Sequence, residues 1–515
     1  MEFKVPPSKK LKLDHINPKQ QDLDTTIHET DTNTIKKLLF TLEKSLSSNT
    51  LLRSKYSNNP LKFIDSEQAL DDAISALTSI SSSPELFPVL IQLNSHVSIL
   101  SLLAHENTDI VLSTLTLINE FTDDDTVDQT TPKAAQGIKQ LLHSWLDADI
   151  LSLLVANLDR LLDDRADDRQ GIFDTLSIME NFVSIDPELE VKVFNSIIPW
   201  ILKRLSLKQF DSIIQYATEL LAILLQSNKE NKHKFISSGG LDSILLILAR
   251  YRKKDPTDAD EIEMLENLFD CVCALVQEPD LKLPFVQAEG IQLMFIFIKQ
   301  KLLCRARAIK VIDHVLLGHS QEGAELFVEL GGLKSVFSAF LKKGSAKYKK
   351  QYPEFSQKEE EEHIVSIICS LFKNLQSQDH KLRLIYKFIE SDFEKLHQLL
   401  IYHTQYKLKV GLSMLKEDGT IEQDEDDELE YMNRLDAGLF TLQLIDIILM
   451  YCMHESPEIK RLVPTLLPEL DETMENVGLI VKEYLDNYGV DSTDKDVLEH
   501  KKLLKSMLVV FDVSV

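Results

Sequence analysis

Apolar residues return at steps of three and four through most of this chain, the period of helices that bury one face. Ile35, Leu38, Leu39, Leu42 and Leu46 set the rhythm and predict an amphipathic helix over 34–57. Beyond Pro60 the pattern predicts helices opened by Asp65 and by Pro84, then one capped by Asn107 or Thr108 and ending at Phe121. Later helices close before polar turns near Phe182, Gln226, Gln277, Gly318 and Leu375, and a strong apolar helix is expected over 431–454. Three stretches nearly repeat one another: Phe-Ile-Ser-Ser-Gly-Gly-Leu at 235–241, Phe-Val-Gln-Ala-Glu-Gly-Ile at 285–291 and Phe-Val-Glu-Leu-Gly-Gly-Leu at 327–333. Their second glycines, Gly240, Gly290 and Gly332, bracket the roughly 40–47-residue period of armadillo and HEAT units.

Such units bury their apolar faces only against neighbours, so the expected architecture is an all-α, armadillo/HEAT-like α-solenoid, a superhelix with helical caps. Five regions follow: an N-terminal tail over 1–32 without helical period, a capping helix over 33–60, repeats over 61–415, an acidic loop over 416–430, and a C-terminal repeat with capping helices over 431–515. Insertions are expected at 159–169, 253–260 and 342–362. For 515 residues this means one elongated array in place of three or four globular domains.

Composition agrees: 44% of residues are hydrophobic and only 7% aromatic, with Leu and Ile dominant, which favours helix packing over sheet. Charge narrows the partners. Lys and Arg number 56 against 82 Asp and Glu, and a formal charge of −26 repels a phosphate backbone unless the basic residues are strongly segregated. Basic peptide tails are the expected ligands and direct nucleic-acid binding is disfavoured. Cys271, Cys273, Cys304, Cys369 and Cys452 are odd in number and scattered, and the first residues lack a signal-peptide pattern, which together fit a reducing compartment. The longest apolar stretch, 439–453, contains Gln443 and Asp446 and is too short for a membrane span, so no membrane partner is expected. Lys9, Lys10 and Lys12, behind Pro6 and Pro7, form a compact basic cluster of the nuclear-localisation type, which predicts the nucleus.

Candidate binding residues sit near helix ends. Asn119, Asn181, Gln226, Gln277 and Asn374 occupy places from which amides could pair with the backbone of an extended peptide, since an amide both donates and accepts. Each could equally serve as a helix cap. Asp123, Asp124 and Asp125, and Asp163, Asp164, Asp167 and Asp168, could neutralise lysines or arginines of a ligand, or form solvated turns. Cys271 and Cys273 lack a second pair of ligands at zinc-finger spacing, and His314 and His363 accompany no nucleophile, phosphate loop or paired carboxylates. No catalytic residue, metal site or cofactor is expected. The apolar C-terminal helices leave two options: a homodimer, or internal capping.

Several blocks resemble the catenin-beta-like protein 1 family: His-Glu-Asn-Thr-Asp-Ile at 105–110, Trp-Ile-Leu-Lys-Arg-Leu at 200–205, Leu-Ala-Ile-Leu-Leu-Gln at 221–226, Glu-Asn-Leu-Phe-Asp at 266–270, Lys-Val-Ile-Asp-His at 310–314 and Arg-Leu-Asp-Ala-Gly-Leu-Phe at 434–440. They run in the family's order from about residue 65 to 490, while 159–169 and 342–362 match poorly. The resemblance implies a nuclear, spliceosome-associated armadillo adaptor of the nineteen complex. Implied partners are splicing-factor proteins with basic segments, among them a Myb-type component of that complex and, in vertebrates, an antibody-diversifying deaminase. A karyopherin-type nuclear-import adaptor is the alternative. It would want rows of tryptophan, and only Trp145 and Trp200 exist.

Overall fold

The computed structural model describes residues 32–123, 131–413, 427–489, 493 and 495–510. Within them the chain forms 26 α-helices and no strand. Two antiparallel helices, α1 (Thr32–Lys55) and α2 (Ile64–Leu77), close the N-terminal end. Three-helix units follow: α3 (Phe87–Gln92), α4 (Ser95–Leu102) and α5 (Thr108–Phe121), then α6 (Pro132–Asp147), α7 (Ile150–Arg160) and α8 (Ala166–Ile185). In the next unit a 3-10 turn at Pro187–Leu189 stands in for the first helix, before α9 (Glu190–Leu205) and α10 (Ser212–Gln226). The glycine-marked units are α11 (Lys229–Ser237), α12 (Gly240–Leu248) and α13 (Ala259–Val276), then α14 (Lys282–Gln287), α15 (Gly290–Gln300) and α16 (Cys304–Leu316). The third of them has α17 (Gln321–Glu329), α18 (Gly332–Phe340), an inserted α19 (Ser345–Gln351) and α20 (Gln357–Asn374). The array ends with α21 (Gln378–Leu412), α22 (Asp427–Ala437) and α23 (Leu439–Glu455), then α24 (Pro457–Leu466), α25 (Met474–Asn487) and α26 (Lys495–Val510).

The third helices of successive units pack directly on one another, from α2 through α5, α8, α10, α13, α16 and α20 to α23, forming one unbroken ladder. A single apolar core runs the length of that ladder, from Ile35 to Leu508.

Physical reasons for the glycine repeat are visible at each corner. A Cβ on Gly240, Gly290 or Gly332 would fall 2.3, 2.4 or 2.4 Å from the ring of Phe235, Phe285 or Phe327. Each glycine is therefore the floor on which its unit's phenylalanine lies. The residue just before it turns the chain in the left-handed conformation, at Gly239 (φ 78°), Glu289 (φ 60°) and Gly331 (φ 86°). Asn94 (φ 57°) and Asp149 (φ 62°) make the same corner in two earlier units, where no glycine betrayed it. Left-handed backbone costs an L-residue roughly 1–2 kcal/mol, part of which glycine gives back in chain entropy. Glu289→Gly should therefore raise stability by about 0.5–1 kcal/mol, read as a higher urea midpoint at unchanged slope.

The helix expected over 431–454 is two helices, broken at Gly438, whose φ of 108° only glycine adopts freely. The first begins at Asp427, so the last residues of the expected acidic loop are already helical; 414–426 lie outside the described residues. α23 is enclosed by α20, α21, α22, α24, α25 and α26, and every position from Thr441 to Met453 is buried. The apolar residues of this helix are thus covered within the chain, while Val509 on α26 is exposed and Phe511 lies outside the described residues.

At the C-terminal end His500 is buried between the rings of Tyr451 and Tyr488, and burial, with a smaller contribution from Lys373, pushes its pKa down to about 4. The unfolded chain takes up this proton below the ordinary value of 6.5, whereas the folded chain refuses it until about 4. Stability should thus fall as pH drops through that window, by about 3 kcal/mol at most. His500→Phe should flatten the acid limb, which denaturant midpoints between pH 7 and pH 4 will register.

Candidate functional site: the third-helix ladder

Hydrogen bonds between units account for several of the polar residues on the ladder. Asn374 is 4% exposed; its amide donates to the carbonyls of Leu316 (2.9 Å) and Ser370 (3.0 Å) and accepts from the Ser320 backbone N–H (3.0 Å). Both its amide hydrogens are spent and it is sealed from a peptide by burial, so it acts as an inter-unit staple. Asn157 does the same work, donating to Leu103 (3.0 Å) and Leu153 (2.9 Å), although nothing in its sequence setting marked it. Asn181 donates to Asn119 Oδ1 at 3.2 Å and to the Thr122 hydroxyl at 3.3 Å, tying α8 to α5. Asn119 keeps a half-exposed amide, and Gln226 and Gln277 stand exposed at the ends of α10 and α13.

The aspartate clusters divide likewise. Asp163 pairs with the buried Arg204, and Asp168 accepts from the Leu162 backbone N–H at 3.0 Å, so both stabilise the turn into α8. Asp164 and Asp167 are exposed, and Asp123 is half-exposed beyond the end of α5. Asp124 and Asp125 lie outside the described residues, as do Lys9, Lys10 and Lys12. Both tryptophans are buried; the Trp145 indole donates to the His96 carbonyl at 3.3 Å, so neither forms part of a ligand-facing row.

A group that sequence reasoning missed lies on the middle of the ladder. Glu180 on α8, Glu219 on α10 and Glu263 on α13 come from three consecutive units, and the charges of the outer two both act on Glu219. Burial, then the charges of Glu180 and Glu263, raise Glu219 to about 7. Glu263 is raised as well, by burial and then by Asp260 and Glu266. Tyr216 donates to Glu180 at 2.8 Å, and Gln215 donates to Glu219 at 3.3 Å, which holds these carboxylates in place. One turn onward the ladder balances itself: Arg307 on α16 meets Glu266 at 2.6 Å and Lys310 meets Asp270 at 3.3 Å. Beyond that, His363 Nδ1 lies 2.8 Å from an Asp313 carboxylate oxygen, while burial lowers the pKa of the half-buried His314 beside it. Mutual repulsion among carboxylates thus falls on Glu219 and Glu263, on α10 and α13. A cation arriving there would relieve a repulsion that the fold has built in.

All five cysteines are buried, and burial pushes the Cys273 thiol up to about 12. No cluster of three or more His, Cys, Asp or Glu side chains suited to a metal occurs among the described residues. No described helix is long and apolar enough to cross a membrane.

A family model described as "Catenin-beta-like, Arm-motif containing nuclear" matches residues 12–482. The chain belongs to that family. Human beta-catenin-like protein 1 is 35% identical over 473 residues, covering 89% of this chain and 82% of that protein. The beta-catenin-like protein 1 homolog of Schizosaccharomyces pombe is 33% identical over 501 residues, covering 96% and 85%. Among solved structures, an engineered protein covers 91% of this chain and 99% of its own at 12% identity and a TM-score of 0.45. As a catenin-beta-like family member the chain is an armadillo-type scaffold, and its family is described as nuclear.

Proposed function

We propose that this protein is a non-enzymatic scaffold of the nucleus that docks basic, localisation-type peptide segments of splicing factors, in the service of pre-mRNA splicing. The splicing setting and a Myb-type partner of the nineteen complex follow from the family resemblance. The docking chemistry rests on one observation: Glu219 is held between Glu180 and Glu263 with its ionisation suppressed, so an incoming lysine or arginine gains more here than at an ordinary surface carboxylate. Gln226 and Gln277, at the ends of the flanking helices, supply amides for the peptide backbone, and Asn119 and Asp123 extend the lining toward α5. An extended chain laid across the ladder meets one unit after another.

Glu180→Gln, Glu219→Gln and Glu263→Gln combined should weaken binding of a labelled Lys/Arg-rich peptide about ten- to thirtyfold at low salt, from contributions of about 1 kcal/mol or less per pair. Fluorescence anisotropy at 50 mM NaCl reads this directly. Affinity unchanged by all three substitutions would refute the site.

A further inference from the structure

The formal charge of −26 conceals a local reversal. Loops joining the second and third helices of consecutive units lie along one edge of the solenoid, and hydrogen bonds stitch each to the next. Arg250 donates to the carbonyls of Leu207 at 3.2 Å and Lys208 at 3.0 Å. Asp255 accepts from the Leu303 backbone N–H at 2.9 Å and from the Tyr352 hydroxyl at 2.6 Å. Tyr348 donates to the Leu302 carbonyl at 2.9 Å, and a side chain placed on Gly344 would meet the Lys301 ammonium at 3.5 Å. These bonds fix 250–255, 301–305 and 342–352 side by side.

Exposed cations concentrate there. The first loop presents Arg252, Lys253 and Lys254, and the inserted α19 presents Lys347, Lys349 and Lys350, with Lys301 exposed between them. None of these seven forms an ion pair among the described residues, whereas Lys342 and Lys343, on the same loop, are paired with Glu361 and Glu394. Of the carboxylates closest in sequence, Asp255 is engaged in the two bonds above and Asp258 caps α13, while Glu354 stands exposed beyond α19 and offsets one of the seven positive charges. Screening cuts off more distant acidic groups at about 8 Å in physiological salt, so the edge acts by its own charge rather than the molecule's.

We propose that this edge binds the phosphate backbone of nucleic acid and follows it without reading base sequence. An acidic peptide would need apolar pockets to hold anchors, and the residues between these lysines are Gly344, Ala346 and Gln351, which are exposed and form no such pocket. Tyr348 is buried, Tyr352 packs on it with ring centroids 4.6 Å apart, and Tyr251 is half-buried with its hydroxyl on Glu261, so no fully exposed ring is offered as a stacking platform. Flexible ammonium groups distributed over three units, each roughly 10 Å wide, suit a regular line of phosphates. The expectation that a net acidic chain avoids nucleic acid carried the condition that its basic residues be unsegregated, and along this edge they are segregated.

The full chain, titrated against labelled 20-nucleotide oligo(U) and a 20-base-pair RNA duplex by anisotropy, should bind one or both at 50 mM NaCl. At 200 mM it should lose about a hundredfold of that affinity for the single strand, or about five hundredfold for the duplex, as about five phosphate contacts require. The two probes tell a single strand from a duplex as the source of the phosphates. Lys347→Glu, Lys349→Glu and Lys350→Glu together should cut affinity at least tenfold at 50 mM. A control of equal charge change on α1, Lys36→Glu, Lys37→Glu and Lys44→Glu, should leave it unchanged. All six lysines are on helix surfaces, and superimposable thermal melts will confirm that both variants fold. No binding to either probe at 50 mM, equal losses in the two triple variants, or tighter binding of a poly-glutamate peptide than of either RNA would overturn the proposal.

Discussion

Gly290→Ala should destabilise the array by about 3 kcal/mol, the upper part of the range for overpacking a well-filled core. The new methyl would stand 2.4 Å from the fully buried ring of Phe285, and α14, which carries that ring, is packed against α13, α15 and α17, leaving little room to retreat. Phe285→Ala alone should cost about 3–5 kcal/mol through the cavity it opens. Combined, the two changes should cost clearly less than their sum, because removing the ring removes the clash. Hydrogen exchange over 282–300 gives the local opening energy even if the repeats do not melt as one unit. A double-mutant cycle that is additive within about 0.5 kcal/mol would show that glycine and ring are not each other's constraint.

The second large effect is expected inside α21 and α23. His403 and Asp446 are both fully buried, 2.6 Å apart, with a Glu472 oxygen 3.9 Å from the other imidazole nitrogen. Burial disfavours the charged ring, yet Asp446 and then Glu472 outweigh it, and the His403 pKa is raised above its ordinary 6.5. Asp446→Ala should cost about 3–5 kcal/mol by leaving that ring without its partner in the core. Replacing the pair by His403→Leu and Asp446→Leu should restore most of the loss, since a buried ion pair barely outcompetes apolar packing. Urea unfolding followed by exchange over 439–453 measures both; a single-variant cost below about 1 kcal/mol would mean the pair is idle. The stability that comes from charging His403 is complete below pH 6.5 and is lost as pH rises through its raised folded value, whereas burial raises Asp446 too, so its ionisation costs stability above the ordinary 3.8. His500 acts on the opposite limb, so the C-terminal units should be most stable between the two transitions.

How much of this could be read from the chain differs between its levels. The helical period and the Phe…Gly repeat exposed the solenoid because each unit needs the same ring on the same glycine floor. The corners at Asn94 and Asp149 escaped notice because those side chains tolerate left-handed backbone without glycine. Gly438 lay within a continuous apolar period, which says nothing of where the axis bends. Site residues were harder to find. Asn374 and Asn119 hold comparable places at the ends of third helices, yet one is sealed into a staple and the other half-exposed, a difference set by the neighbouring unit. Glu180, Glu219 and Glu263 are far apart in sequence and meet only through the ladder, so no local pattern could announce them. The same holds for the lysines of the basic edge, whose segregation is a property of the superhelix and invisible to a net charge.

Hydrogen exchange of the full chain with and without a saturating basic localisation-type peptide addresses the central claim most directly. Protection should appear on α8, α10 and α13 around Glu180, Glu219 and Glu263, and should fade as salt is raised. Protection confined to the first and second helices of the units, or none on these three helices at saturation, would contradict it.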